Sequence, residues 1–134
     1  MHPDAFVIGA DQVMECSGKL FAKPVGIDGA REQLQLLRGQ PHSLYSAVAI
    51  ALDGEIRWRH VEKAVLTMRG FSDTFLEDYI AGEGAALLAC VGGYRIEGRG
   101  IQLFSHVEGD HFTIIGLPLL PLLGYLRETG WLLS

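Results

Sequence analysis

Three charged residues stand where their types and neighbours could do chemistry. Asp11 follows the apolar run Val7-Ile8-Gly9-Ala10. An acid at the end of a strand beside Gly9 is sterically open, because a glycine backbone lets a ligand approach closely. Such a carboxylate suits a general base acting on water, or a ligand for a divalent ion. The plain alternative is a solvated turn aspartate. Lys23 stands before Pro24, which holds it extended. A fixed ammonium suits a phosphate group as a point charge; otherwise it is a surface lysine with its stem laid on apolar neighbours. Glu97 sits in Tyr94-Arg95-Ile96-Glu97-Gly98-Arg99-Gly100. Strand alternation places it opposite Ile96, and the flanking glycines leave room for a planar ligand. A carboxylate there accepts two hydrogen bonds from a base with adjacent N–H donors, as guanine has; the alternative is an exposed strand glutamate. Asp11 and Lys23 together read as an acid and a base facing one anionic substrate.

Two other clusters read as structural. His106, Glu108, Asp110 and His111 flank a glycine turn. They lack the spacing on one rigid element that a metal site needs, and read as a solvated hairpin tip. Cys90 lies at an apolar helix end with no histidine near it in sequence, and reads as a buried thiol. Cys16 and Cys90 form no CxxC pair, so neither a zinc site nor a disulfide framework is expected. Free thiols fit a reducing cytoplasm.

Composition sets the outer bounds. A chain of 134 residues, 49% hydrophobic and 20% charged, suits one globular domain spanning residues 1–134. A net charge of -5 argues against a nucleic-acid polymer as partner, since a phosphate backbone needs clustered cations. A small nucleotide needs only a few cations in one cleft. The most apolar segment, Ile114 to Leu126, is too short and too rich in Gly and Pro to span a bilayer. No secretory signal pattern opens the chain.

The elements that must position these groups follow from pattern. Ala5 to Ile8 reads as a buried strand, followed by a sharp Gly9-Ala10 turn. Ser17-Gly18 pairs Val13–Glu15 with Lys19–Ala22 as a hairpin. A helix follows with Asp28 as its cap and Gly39 as its stop. Asp53-Gly54 marks a long hairpin, and Ser72 caps a second helix with Phe75, Leu76, Tyr79 and Ile80 on its apolar face. The segment from Gly84 begins helical and breaks at Gly92-Gly93 into a loop or a short strand. Residues 101–116 read as another hairpin turning near Gly109-Asp110, and a final helix starts near Leu117 and Pro118. The expected class is α/β, a mixed twisted sheet with flanking helices.

Taken in order, Gly9–Val13 (GADQV), Gly18–Pro24 (GKLFAKP), Leu37–His42 (LRGQPH), Tyr79–Gly84 (YIAGEG), Tyr94–Gly100 (YRIEGRG) and Gly109–Leu119 (GDHFTIIGLPL) resemble the Maf family of nucleoside triphosphate pyrophosphatases. The likeness covers nearly the whole chain and implies a Maf/ITPase-like fold. It also implies hydrolysis of a nucleoside triphosphate to the monophosphate and pyrophosphate, with a divalent cation, Mg or Mn. By the resemblance, Asp11 matches the proton acceptor and Lys23 the lysine near the phosphates. Gln12 and Glu97 fall on positions that tune base choice. The pyrimidine-preferring branch usually carries Thr and Gln there. The 7-methyl-GTP branch carries Gln and Glu, with a Cys before its glycine loop, as Cys90 stands here. A methylated, positively charged guanine suits a carboxylate better than an amide.

The chain departs from the family pattern in two places. The opening strand and the Arg-bearing phosphate loop do not appear, so the chain reads as N-terminally truncated. The usual Asp-Lys-Ala-Gly is replaced by Ala89-Cys90-Val91-Gly92. The expected partners are a nucleoside triphosphate and, for assembly, a second copy of the chain; no membrane is expected. The alternative function is a catalytically silent nucleotide-binding or self-associating fragment.

Overall fold

The computed structural model describes residues 6–133. Strand β1 (Phe6–Cys16) is joined through Ser17-Gly18 to β2 (Lys19–Phe21), and helix α1 (Gly26–Leu37) follows. Strands β3 (Pro41–Leu52) and β4 (Glu55–Met68) come next, then α2 (Asp73–Glu83). Short 3-10 turns at Gly84–Ala89, Val91–Gly93 and Arg99–Leu103 lead into β5 (Phe104–Glu108), α3 (His111–Ile115) and α4 (Leu119–Glu128). The five strands form one sheet in the order β2-β1-β3-β4-β5. The β1–β2 pair is antiparallel, with Met14 opposite Phe21 and Cys16 opposite Lys19. The β4–β5 pair is also antiparallel, with Leu66 opposite Val107. This is the expected α/β class. No helix among the described residues is long and apolar enough to cross a membrane.

The two hairpins stand where their turn residues predict. Ser17 and Gly18 have φ of 51° and 81°, and Asp53 and Gly54 have 52° and 81°. Positive φ at both central residues matches the right-handed twist of the flanking strands. Ser72 caps α2 by accepting a hydrogen bond from the Phe75 amide at 3.0 Å.

Four elements differ from what the sequence pattern predicts. Gly9-Ala10 makes no turn; β1 runs straight through both to Cys16. Ala5, where that strand was expected to open, lies outside the described residues. Asp28 is not the cap of α1. The helix begins at Gly26, after an extended Val25 with no side-chain cap, and Asp28 sits in its first turn bound to Arg31. Of the two readings for the segment after Gly93, the loop is the one that forms: residues 94–103 make turns, so the strand alternation used for Glu97 does not fix its side. Residues 101–116 are not a hairpin: β5 ends at Glu108 and the chain turns into α3. Asp110 accepts from the Thr113 amide at 3.0 Å, an N-cap that starts a helix where Gly109-Asp110 read as a strand turn.

The chain divides into two compact units. One comprises the chain up to Gln12, Tyr45–Lys63 and the chain from Gly109; the other comprises Val13–Leu44 and Ala64–Glu108. In the first, Val48, Ile50, Leu122 and Leu126 are buried, and Phe6, Trp58 and Tyr125 pack against them. Trp58 and Tyr125 stack at 4.9 Å. In the second, Met14, Leu34, Leu37, Leu66, Met68, Leu76 and Leu103 are sealed from solvent. Alternation along β3 sends His42, Leu44, Ser46, Val48 and Ile50 to buried positions.

Candidate functional site

Within the first unit, Asp11 and Gln12 lie next to one another on β1. Asp11 is exposed, and its Oδ1 accepts from the Gln12 amide at 2.9 Å. That bond holds the carboxylate against its own backbone while the group stays open to solvent. Gln12 is tied more firmly. Its Nε2 donates to the Ile114 carbonyl at 2.9 Å, to Ser46 Oγ at 3.2 Å and to the Thr113 carbonyl at 3.3 Å. Sequence reading reached Gln12 only through resemblance. Its partners lie 34, 101 and 102 residues away and carried no local signal.

Within the second unit, Lys23 and Glu97 are both exposed. Lys23 borders a groove of about 470 Å³ between β2 and the start of α1, lined also by Lys19, Pro24, Glu32 and Gln33. Asp28 and Glu32 line the same groove, so the two lysines supply local cations there and the lining as a whole carries no net charge. Lys23 and Glu97 share the electrostatic surroundings of Cys90. Burial pushes the Cys90 thiol up, Arg95 and Lys23 pull it down, and Glu97 and Glu83 push it up. Cys90 is half-buried rather than buried as the sequence predicts, and its raised pKa keeps the thiol protonated.

Two residues that the sequence reading passed over help to build this region. Arg95 adds a second cation beside Cys90; it stands 3.9 Å from Glu83 Oε2 and is largely open to solvent. Gln33 on α1 donates to the Ala22 carbonyl at 2.7 Å and accepts from the Gly92 amide at 3.0 Å. One side chain thus ties the backbone just before Lys23 to the glycine loop. That loop needs its glycines. Gly92 has φ of 80°, and a Cβ there would lie 2.7 Å from Met14 Cε and 3.0 Å from Tyr94 Cε2. A Cβ on Gly100 would meet the Arg95 carbonyl. The glycine at 100 thus serves a close backbone approach, and Gly98 donates to the same Arg95 carbonyl at 3.2 Å. A local signal for Arg95 exists in its place two residues before Glu97, on the same turn.

Asp110 is committed to capping α3, and His106 and Glu108 lie on β5. Among the described residues no three His, Cys, Asp or Glu side chains converge on a metal position. The residues therefore build no all-protein cage. A hard divalent cation that keeps its waters and rides on phosphate oxygens asks for only one or two carboxylates, and the exposed Asp11 fits that demand.

The fold is a small α/β one, with an open acid on a strand of the first unit and cations beside a glycine loop in the second, and comparison with known families makes the class specific. The model for the Maf family, described as "Maf-like protein", matches residues 1–129, and the chain belongs to that family. A protein of Rhodospirillum rubrum named "Nucleoside triphosphate pyrophosphatase" is 51% identical over 133 residues, covering 99% of this chain and 66% of its own length. One of Paramagnetospirillum magneticum with the same name is 53% identical over 96% of this chain and 66% of its own length. A protein of Mesorhizobium japonicum named "7-methyl-GTP pyrophosphatase" is 49% identical, covering 96% of this chain and 65% of its own. The chain spans 64–66% of the length of the curated relatives it matches.

Proposed function

We propose that this chain acts on nucleoside triphosphates as a pyrophosphatase, cleaving the α–β phosphate linkage to give the monophosphate and pyrophosphate, with guanine or 7-methylguanine as the favoured base. The observation that carries the pyrophosphatase reading is 51% identity, over 99% of the chain, with a protein named "Nucleoside triphosphate pyrophosphatase"; the guanine preference rests on Gln12 and Glu97. The family match over residues 1–129 takes in parts of both compact units.

In this reading the Asp11 carboxylate takes a proton from the attacking water. The water oxygen bonds to the α-phosphorus and pyrophosphate leaves. Lys23, joined by Arg95, holds the phosphate chain by charge. Gln12 and Glu97 meet the base. A divalent cation carried on the phosphates would lower their repulsion toward the attacking oxygen, with Asp11 as the carboxylate within its reach. A cytoplasmic location belongs to the same reading and is supported by the free thiols Cys16 and Cys90.

The test is pyrophosphate release by the 134-residue protein from 7-methyl-GTP, GTP, UTP and dTTP with Mg2+ or Mn2+. Release of pyrophosphate, fastest from the guanine nucleotides, is expected. Release of orthophosphate instead, or of nothing, overturns the assignment. Binding without release would favour a silent nucleotide-binding protein.

A further inference from the structure

The Gln12 carboxamide faces acceptors. Two of its three Nε2 contacts are backbone carbonyls at the end of α3, Thr113 and Ile114. The third is Ser46 Oγ, whose own proton is committed to the Thr113 carbonyl at 2.6 Å. Ser46 is therefore left with lone pairs toward Gln12. Ser46 and Thr113 are 0% and 1% exposed, so these partners are fixed parts of the interior. Asp110 steadies the far side of the network, accepting from the Thr113 amide at 3.0 Å and from its hydroxyl at 3.4 Å.

This environment decides which way the amide points. Turning it by half a revolution would set Oε1 against the Thr113 and Ile114 carbonyl oxygens and lose both bonds. An amide has two N–H donors and one carbonyl acceptor. Here both donors are spent inward, and Oε1 makes no hydrogen bond among the described residues. Residue 12 cannot offer an N–H to a ligand without breaking the network. It can offer only an acceptor.

We infer that Ser46 and the end of α3 lock the Gln12 carboxamide with Oε1 as its outward acceptor, making Ser46 a positioning residue that selects bases with N–H donors opposite residue 12. This rests on the reading that Gln12 meets the base. It deepens that reading by giving the donor pattern of the ligand: an amino or imino hydrogen opposite residue 12 is accepted, and a carbonyl oxygen is repelled. Guanine, with N1–H and an N2 amino group side by side, meets that demand. Uracil and thymine have a single N–H set between two carbonyls.

The experiment uses the whole 134-residue chain, labelled with 15N, in native form and as Ser46→Ala and Gln12→Glu. Exchange of the Gln12 side-chain amide protons is read against the exposed Gln35 and Gln102. Affinities for GTP, 7-methyl-GTP and UTP are measured in parallel. The native Gln12 amide is expected to exchange about tenfold more slowly than the exposed glutamines. Ser46→Ala is expected to remove most of that protection and to lower the GTP-to-UTP affinity ratio by about threefold to tenfold, the worth of one positioned hydrogen bond. Gln12→Glu, which sets carboxylate oxygens against two carbonyls, is expected to melt well below the native protein. A Gln12 amide that exchanges as fast as Gln35, or a Gln12→Glu protein that melts with the native one, overturns the lock. An unchanged base ratio in Ser46→Ala overturns the selecting role. If the native chain binds none of the three nucleotides, the nucleotide reading falls and takes the selecting role with it. Slow exchange that Ser46→Ala abolishes would then still establish the lock.

Discussion

His42 Nε2 lies 2.6 Å from the Tyr94 hydroxyl, a hydrogen bond between β3 and the turn that carries Arg95 and Glu97. His42 is 2% exposed, and Phe104 flanks both rings at 5.9 and 4.8 Å. The other ring nitrogen, Nδ1, is buried and has no partner among the described residues. With Nε2–H donating to the Tyr94 oxygen, a neutral ring leaves only one unpaired acceptor lone pair at Nδ1, with no buried charge and no unpaired N–H. A protonated ring would bury a charge and an unpaired N–H together. Burial accordingly pushes the His42 pKa down from 6.5 to about 4.

Stability should therefore fall on mild acidification. Between pH 6.5 and about 4 the unfolded chain binds a proton at His42 that the folded chain refuses, so the free energy of unfolding drops as pH falls through that window. The full loss amounts to about 3 kcal/mol and is complete once the folded ring also protonates. Urea unfolding at pH 7, 6, 5 and 4 measures it. His42→Gln keeps a polar partner for Tyr94 without the titration, and its slope in this window should be flatter than that of the native protein. Equal slopes would mean that His42 does not carry the effect.

Asp11→Asn should abolish turnover while leaving the fold intact. The carboxylate is exposed, and its hydrogen bond with the Gln12 amide is one that an asparagine oxygen also accepts. Stability should move by less than about 0.5 kcal/mol. Loss of a general base typically costs about two to four orders of magnitude in rate. Steady-state pyrophosphate release, alongside a melting curve, separates the two effects. A variant that retains most of the native rate would remove Asp11 from the role of base.

Gln33→Ala should loosen the phosphate side of the site from a distance. It strips the acceptor from the Gly92 amide and the donor from the Ala22 carbonyl. Gly92 is buried, so its unpaired N–H should cost about 1–3 kcal/mol of stability. Because Lys23 directly follows Ala22, the affinity for inorganic pyrophosphate should fall as well. Calorimetric titration with pyrophosphate on native, Gln33→Ala and Lys23→Ala proteins tests the link. If Gln33→Ala is destabilised but binds pyrophosphate at native strength, the bridge is purely structural.

Local chemistry made much of this legible from sequence. Asp53-Gly54 and Ser17-Gly18 announced their hairpins because positive φ at both turn residues is a short-range demand. Ser72 announced α2 because its partner is only three residues away. Errors arose where two local signals compete. Gly109-Asp110 reads as a strand turn, yet Asp110 also caps a helix through Thr113, and the helix forms. Gly9-Ala10 reads as a turn, yet Gly9 lies inside β1. Of the candidate site residues, charge and neighbours in sequence single out Asp11, Lys23 and Glu97. They do not single out the Gln33 bridge or the Gln12 lock, because an uncharged amide carries no signal until folding sets distant carbonyls and amides around it.

Glu97→Gln should shift base preference toward pyrimidines. Glu97 is exposed on a turn of the second unit, close enough to Cys90 to raise the pKa of its thiol, with Arg95 and Lys23 acting in the opposite sense. A carboxylate has only acceptors, and it can take N1–H and the N2 amino group of guanine together. Methylation at N7 adds a positive charge to the ring and strengthens that pair. Uracil and thymine offer one such donor, and their carbonyl oxygens would face carboxylate lone pairs. Leaving the carboxylate unpaired beneath a bound base costs about 1–3 kcal/mol, hence tenfold or larger discrimination. An amide at 97 supplies a donor for a pyrimidine carbonyl and removes that repulsion. The ratio of kcat/KM for 7-methyl-GTP over UTP should therefore fall about tenfold in Glu97→Gln, chiefly through UTP and dTTP improving. Measuring all four nucleotides on both proteins decides it. A native protein that already prefers pyrimidines, or a ratio unmoved by the substitution, would leave Glu97 an ordinary surface carboxylate and place base selection elsewhere.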